Sequence, residues 1–234
     1  MTAPRVIAID GQAGSGKTTT ARAVAQALGF AHLDSGALYR AVTLAALDLG
    51  ADAGASRVLA AAEQVHADLV RVGDTFRPEV GGVDVSQAIR SERVTERVSA
   101  VAAFPAVRHW VNRRLRTAVA THSVGVVVDG RDIGTVVFPD APLKVFLTAA
   151  PEERAKRRLA QEGRQVDARS VGQTSRKLQS RDAADSGREV APLKPAADAV
   201  VLDTTALSFA EQVDRIVQRA RKVFAPVDIG HERD

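Results

Sequence analysis

A glycine-rich segment near the start of the chain constrains the fold more strongly than any other feature. Residues Gly11–Thr18 read Gly-Gln-Ala-Gly-Ser-Gly-Lys-Thr and match the pattern G-x-x-x-x-G-K-[ST] at every position. The apolar run Val6–Ile9 precedes them, as in a buried parallel strand, and the alanine-rich stretch Lys17–Leu28 follows, as in a helix that ends at Gly29. A strand, a glycine-rich turn and a helix in this order predict a phosphate-binding loop (P-loop).

The residue types of this segment suit the binding of a triphosphate. Its glycines let successive backbone N–H groups converge on phosphate oxygens, and the positive end of the following helix reinforces them. We expect Lys17 to reach the β- and γ-phosphates and the Thr18 hydroxyl to bind Mg²⁺. The expected nucleotide-binding residues are Gly11, Gln12, Ala13, Gly14, Ser15, Gly16, Lys17, Thr18 and Thr19.

The rest of the chain predicts an α/β fold in which a parallel sheet is flanked by helices in three layers. Beyond the two elements above, strands are expected at 30–33, 124–128, 143–147 and 199–202. Helices are expected at 37–49, 105–120, 151–161, 170–186 and 208–220. The last helix opens with Ser208 and Glu211, which form the sequence pattern of a capping box.

The alternation of strands and helices breaks in the first half of the chain. Residues 68–72 and 75–80 have strand character and flank Gly73 and Asp74, which predicts a small antiparallel meander. A helix is expected over 86–98. We interpret about 62–104 as an insertion into a single domain that covers 1–234.

Composition excludes several classes of function. The chain has no Cys, which excludes disulfides, thiolate metal sites and a cysteine nucleophile. No apolar run approaches the roughly 18 residues that span a bilayer, and the first residues lack the apolar core of a signal peptide. We therefore expect a cytoplasmic protein without a membrane partner.

Basic residues concentrate in the second half of the chain. The formal net charge is +4, and between Pro151 and Arg188 ten Lys and Arg outnumber six Asp and Glu. Such a window is typical of a solvated helical face, of a nucleic-acid patch or of a segment that closes over a polyphosphate. Because Trp110 and Tyr39 both lie outside the window, it has no aromatic platform for stacking bases. Composition alone does not distinguish a solvated helical face from a segment that closes over a polyphosphate.

A P-loop alone does not define a reaction. A GTPase would carry an Asn-Lys-x-Asp segment to read guanine, and the sequence contains none. A large motor ATPase would need a longer chain. A small-molecule kinase fits 234 residues, and it requires a second group of Arg and Asp residues to hold an acceptor.

Three segments supply such a group: Asp34–Arg40, Asp129–Asp132 and Arg181–Arg188. Asp129 follows a predicted strand, where its carboxylate suits the water shell of Mg²⁺. Ser35 fits either a ligand contact or a helix cap. The spacing of the last segment puts its Arg and Asp side chains on one side of a helix, as in an acceptor site or a surface ladder of ion pairs.

In this order, these segments resemble the bacterial cytidylate kinases along almost the entire chain. The matching motifs are Gly11–Thr18, Asp34–Arg40, Val85–Arg90, Val98–Arg108, Asp129–Pro139, Arg181–Arg188, Pro192–Ala199 and Leu202–Thr204. The resemblance implies an inserted subdomain that helps to hold the monophosphate at 62–104 and a mobile lid at 152–188. Gln12 departs from the family, which has Pro there, but this position contributes backbone rather than a side chain.

The resemblance also implies a reaction, in which the γ-phosphoryl group of ATP passes to CMP or dCMP with Mg²⁺ as cofactor. The implied partners are these small molecules, with neither nucleic acid nor membrane, and the chain is expected to be a monomer. A kinase of the same fold that acts on UMP, AMP or shikimate is one alternative. A nucleic-acid-binding ATPase without kinase activity is the other.

The resemblance assigns roles to individual residues. It places Ser35, Arg40, Arg131 and Arg188 around the phosphate of CMP, Ser99, Arg108 and Asp132 at the cytosine edge, and Arg181 and Asp185 at the ribose. Tyr39, the one Tyr of the chain, is next in sequence to Arg40, one of the residues placed around the phosphate. The resemblance also places Arg154, Arg157 and Arg158 in the lid. The alternative is that these arginines pair with Glu152 and Glu153 on the helix surface. The residues expected to act in catalysis are Lys17, Arg131 and Arg157.

Overall fold

The computed structural model describes residues 5–50, 52–121 and 124–225. The strands in these ranges are β1 (Val6–Gly11), β2 (Ala31–Asp34), β3 (Asp68–Val72), β4 (Thr75–Val80), β5 (Val83–Asp84), β6 (Val126–Asp129), β7 (Leu143–Thr148) and β8 (Val200–Asp203). The helices are α1 (Lys17–Leu28), α2 (Ser35–Ala45), α3 (Ala55–Gln64), α4 (Glu92–Val101), α5 (Pro105–Ala120), α6 (Pro151–Gln161), α7 (Ala168–Ser186) and α8 (Phe209–Val223). None of the described helices is both long and apolar enough to cross a membrane.

All the strands belong to one sheet, in the order β3-β4-β2-β6-β1-β7-β8, with β5 paired to β4. From β2 to β8 neighbouring strands are parallel, so their carboxyl ends meet at one edge. In this register Asp129 lies opposite both Ile9 and Asp34, and Gly11 lies opposite Leu147. The edge therefore brings the P-loop beside the ends of β2 and β6, where ligands bind in open α/β sheets.

Strand β1 runs through the middle of the core and divides it into two layers. Val6 and Ala8 face a cluster that includes Leu38 of α2, whereas Ile7 and Ile9 face a cluster that includes Val24 of α1. Since side chains alternate across a strand, each face of the sheet is covered by helices. The expected three-layer α/β fold is confirmed.

The antiparallel meander forms as predicted, with β3 and β4 joined at Gly73 and Asp74. It extends the main sheet, because β4 pairs with β2 at His32 and Thr75, and the His32 amide donates to the Asp74 carbonyl at 2.9 Å. The meander therefore lies beside the strand that carries Asp34.

Three sequence expectations need correction. The helix expected over 86–98 is a short 3₁₀ turn, Ala88–Arg90, followed by α4, because Ser91 adopts extended backbone with ψ of 155°. Helix α3 was not predicted. Helix α7 ends at Ser186, so Arg188 lies beyond it and does not share a helical face with Arg181 and Asp185.

Candidate active site

The P-loop leaves a set of backbone donors free at the edge of the sheet. Gly14 and Gly16 adopt left-handed backbone with φ of 74° and 87°, and α1 begins at the next residue. Within the described residues, the amides of Gly14, Gly16, Lys17, Thr18 and Thr19 donate to no protein acceptor. These N–H groups and the helix N-terminus form a concave site for an anion, as the sequence motif predicts.

Lys17 lies folded back on this loop. Its Nζ donates to the carbonyl of Gln12 at 2.6 Å and lies 3.5 Å from the Ser15 hydroxyl. Burial, followed by the positive charge of Arg131, holds the pKa of Lys17 well below its usual range. A phosphate at the loop would supply the negative charge that this buried ammonium lacks.

Oxygen atoms suited to Mg²⁺ converge beside the loop. The Thr18 hydroxyl donates to Asp129 Oδ2 at 2.7 Å, and His32 Nε2 donates to Asp129 Oδ1 at 2.8 Å. Asp34 lies next to Asp129 on the adjacent strand, and burial together with the negative charge of Asp129 raises its pKa. A hydroxyl and two carboxylates fit a cation that binds through oxygen and water.

Asp129 also fixes the start of α2 through its backbone. The Ser35 hydroxyl donates to the Asp129 carbonyl at 2.7 Å, and α2 begins at Ser35 itself. The alternative that Ser35 caps the helix is therefore wrong. Ser35 instead joins the ends of β2 and β6, the two strands that carry the acidic residues.

Several arginines converge on the other side of this edge. Arg131 Nε donates to Asp185 Oδ2 at 3.0 Å, and Arg188 pairs with the second oxygen of the same carboxylate. Arg40 Nη1 donates to the Ile89 carbonyl and to the Thr95 hydroxyl, each at 3.0 Å. The segment 181–188 is thus not a surface ladder of ion pairs, because its carboxylate binds an arginine from the end of β6.

Arg181 belongs to the same group but has no carboxylate partner within the described residues. Its buried Nε makes no hydrogen bond. Burial, followed by the positive charge of Arg131, lowers its pKa to about 10. A half-buried cation with several other cations nearby favours a ligand that carries negative charge at this place.

A second charged pair lies deeper, between α5 and the end of β6. Arg108 and Asp132 form a buried ion pair, and Arg108 Nη1 donates to the Ala102 carbonyl at 3.1 Å. The Arg108 guanidinium also lies 5.5 Å from the ring centre of Tyr39, whose pKa burial raises. Ser99 lies on the last turn of α4, close in sequence to Ala102, and is half-buried.

The three expected lid arginines have three different environments. Arg157 donates to the hydroxyl and carbonyl of Thr204, at 2.9 and 2.6 Å, and Arg158 pairs with Glu162 on the surface. Arg154 is buried and pairs with Asp182. Among the described residues, none of these three arginines pairs with Glu152 or Glu153, so the alternative of ion pairs with those two acids is wrong. A contact of Arg157 with phosphate stays a prediction.

Two residues of the site have no local sequence signal. Asp10 accepts hydrogen bonds from the amides of Ile133 and Gly134, at 2.8 and 2.7 Å, and so anchors the segment that follows Arg131 and Asp132. Burial raises its pKa to about 6, although both amides act in the opposite direction. His32 is the other, since its partner Asp129 lies 97 residues further along the chain.

A parallel sheet with a P-loop, a hydroxyl and carboxylates beside the loop and a facing arginine cluster is the arrangement of a P-loop kinase. The family model for cytidylate kinase matches residues 7–222. The chain is 44% identical over 217 residues to the cytidylate kinase of Limosilactobacillus fermentum, covering 92% of this chain and 95% of that protein. It is 47% identical over 215 residues to that of Pseudomonas syringae pv. tomato, covering 91% and 93%. This chain belongs to the cytidylate kinase family.

Among solved structures, shikimate kinase from Acinetobacter baumannii matches with a TM-score of 0.45 and 18% identity, covering 96% of each chain.

Proposed function

We propose that this protein transfers the γ-phosphoryl group of ATP to CMP and dCMP, giving ADP with CDP or dCDP. The observation that carries the proposal is a P-loop with unpaired backbone donors that faces an arginine cluster, in which the half-buried Arg181 has no carboxylate partner among the described residues. Membership of the cytidylate kinase family supports CMP as the acceptor.

The acceptor oxygen of a monophosphate is already anionic near neutral pH, so the reaction needs no general base. The main cost is the approach of two polyanions, and positive groups offset it. We propose Lys17, Arg131 and Arg157 for this role, with Arg157 leaving Thr204 to reach the phosphates.

We assign the divalent cation to Thr18 and, through water, to Asp129. When bound, Mg²⁺ neutralises charge on the phosphates of ATP. His32 holds the Asp129 carboxylate in one orientation, and Ser35 holds its backbone. This arrangement keeps one carboxylate oxygen directed at Thr18.

At the acceptor, we propose that Asp132 and Arg108 read the cytosine edge together with Ser99. An acceptor oxygen of Asp132 suits the 4-amino group of cytosine and would repel the 4-oxo group of uracil. Arg181 and Asp185 are assigned to the ribose, and the phosphate is assigned to Ser35, Arg40, Arg131 and Arg188. Tyr39, which packs under Arg108, would help to fix the base end.

We further propose that 62–104 acts as the monophosphate-binding insertion and 152–188 as a lid that excludes water on closing. The interleaved acids in the lid, Asp182 and Asp185, are both engaged by arginines and argue against a nucleic-acid surface. A cytoplasmic monomer is proposed with these assignments.

The substrate is tested by measuring diphosphate formation from AMP, CMP, dCMP, GMP and UMP with ATP and Mg²⁺. We expect kcat/KM to be highest for the cytosine nucleotides. Equal use of UMP would contradict the proposal and favour a kinase of the same fold with another acceptor.

A pair of variants separates base reading from phosphate binding. Asp132→Asn should lower kcat/KM for CMP more than for UMP. The ratio of the two kcat/KM values should fall by about 5- to 150-fold, because one buried polar contact contributes ~1–3 kcal/mol. Arg40→Ala is the matched control and should weaken both substrates alike, because both carry the same phosphate. If Asp132→Asn lowered kcat/KM for CMP and for UMP equally, the selection of the base would have to be assigned to Ser99 and Arg108.

A further inference from the structure

One residue of the P-loop, Ala13, is held through both of its backbone polar groups by side chains of α6 and α7. The amide of Ala13 donates to Asp182 Oδ1 at 2.8 Å, and the carbonyl of Ala13 accepts from Arg154 Nη1 at 2.9 Å. Asp182 and Arg154 also pair with each other, so the three groups close a ring. Arg154 is 2% exposed and Asp182 is 8% exposed, which keeps water from competing for these bonds.

The loop has little room to move at this point. A Cβ on Gly14 would lie 3.0 Å from the Arg154 carbonyl and 3.0 Å from Leu178 Cδ1. The loop therefore rests directly on α6 and α7. Asp182 takes the Ala13 amide and the Gln12 carbonyl takes that of Ser15, so within the described part of the loop the amides of Gly14 and 16–19 are left to face the anion site.

Helix α7 also contacts the other half of the site. Asp185, one turn beyond Asp182, binds Arg131 and Arg188, which belong to the acceptor side. Neighbouring turns of one helix thus hold the donor loop and the acceptor arginines.

We propose that Asp182, held by Arg154, is a positioning residue that fixes the backbone at Ala13 so that the following amides converge on the phosphates of ATP. The proposal rests on the assignment of ATP to the P-loop. A pair that only joined α6 to α7 would leave the backbone of Ala13 to other partners, whereas here both the N–H and the carbonyl of Ala13 are engaged. Loss of Asp182 should weaken nucleotide binding at the loop without an equal effect on the acceptor site.

The test measures binding rather than turnover. Isothermal titration calorimetry gives the Kd of ATP with Mg²⁺ and, separately, the Kd of CMP for the full chain and for Asp182→Ala, Asp182→Asn and Asp167→Ala. Asp167 caps α7 through its bond to the Ser170 amide, far along the helix from the loop, so Asp167→Ala is the control for general weakening of α7.

We expect Asp182→Ala to raise the Kd of ATP on the order of tenfold and to leave the Kd of CMP within about twofold. Asp182→Asn, which keeps one acceptor oxygen for Ala13, should fall between Asp182→Ala and the parent. Arg154→Lys should shift ATP binding in the same direction, because it keeps the charge but loses the planar fork.

An unchanged Kd for ATP in folded Asp182→Ala or Asp182→Asn would overturn the proposal. So would equal losses of ATP and CMP binding that Asp167→Ala reproduces at a matched Tm. Failure of the proposed function is distinguishable, because a protein that prefers another acceptor would still show the ATP effect. A protein whose loop binds no ATP would show no heat of binding in the parent chain.

Discussion

The unpartnered guanidinium of Arg181 leads to an unusual prediction, that its removal stabilises the ligand-free protein while weakening substrate binding. Burial and the neighbouring Arg131 lower the pKa of Arg181 from its ordinary value to about 10. That difference corresponds to about 3 kcal/mol of cost for keeping the charge in the folded state. Because the side chain is only partly buried and water screens it, we expect Arg181→Met to increase the free energy of unfolding by about 1–3 kcal/mol.

The sign of the pH dependence follows from the same pKa. Arg181 is a base whose pKa in the folded state lies below its value in the unfolded chain, so the destabilisation is fully present below pH 10 and disappears as the pH rises to the ordinary pKa of arginine. At neutral pH the whole effect should therefore be visible. For a chain of this size, about 2–4 °C of Tm per kcal/mol predicts a rise of roughly 2–12 °C.

The assay is thermal unfolding at pH 7 with and without CMP. Binding to the folded state raises the Tm of the parent, and the variant should show a smaller rise because CMP loses its interaction with the Arg181 guanidinium. Arg158→Met is the matched control, since Arg158 pairs with Glu162 on the surface and its loss should change the Tm by less than about 2 °C. A lower Tm for ligand-free Arg181→Met, or a full response to CMP, would refute the reasoning.

Three further predictions concern the P-loop and its cation site. Lys17→Ala should keep the fold, as measured by circular dichroism, and lower kcat on the order of a hundredfold or more, because a charge directed at the phosphoryl group is lost. A near-normal kcat would show that Lys17 has no role in catalysis. Asp129→Asn should raise the Mg²⁺ concentration that gives half-maximal rate, and an unchanged Mg²⁺ dependence would exclude it from the cation site. Gly11→Ala would place a Cβ 2.1 Å from the Leu147 carbonyl and should cost about 1–3 kcal/mol or more in urea unfolding. Gly54→Ala is the control, because Gly54 has φ of −70° and a Cβ there meets no atom within 4 Å; equal costs would contradict this.

Local sequence patterns predicted the elements that depend on nearby residues. Helices α1 and α5 have the bounds that were expected, and the hairpin of β3 and β4 turns at Gly73 and Asp74. The capping box at Ser208 is present, with Ser208 and Glu211 bonded reciprocally. Each of these rests on turn or cap chemistry that acts over a few residues.

Patterns were less informative where burial is weak or the backbone changes direction. Helix α3 buries only Val58 and Ala62, so it shows little apolar periodicity and was missed. Ser91 separates the 3₁₀ turn from α4 through one extended residue, and no Gly or Pro marks that break. Helix α7 likewise ends at Ser186, so Arg188 lies beyond the helix on which it was expected.

The identity of the site residues followed from motifs, but their partners did not. Asp182 was seen in the sequence only as an acid among basic residues, yet its carboxylate binds an amide 169 residues away. Arg154 was expected to be a lid arginine and is a buried structural partner of that same carboxylate. Such contacts depend on how α6 and α7 pack against the P-loop, which no local pattern records.

The arrangement of charges along α7 connects binding with closure. Asp182 and Asp185 are both paired with arginines, whereas Arg181, which precedes them on the same helix, has no carboxylate partner among the described residues. Docking α7 against the loop therefore has a favourable contribution from Asp182 and an unfavourable one from Arg181 as long as no anion is bound. We propose that a ligand bearing negative charge removes the unfavourable part without disturbing the favourable one, so that its binding favours the docked position of α7. For the lid proposed at 152–188, this coupling favours closure when substrate is present, which is when water must be excluded from the phosphoryl group.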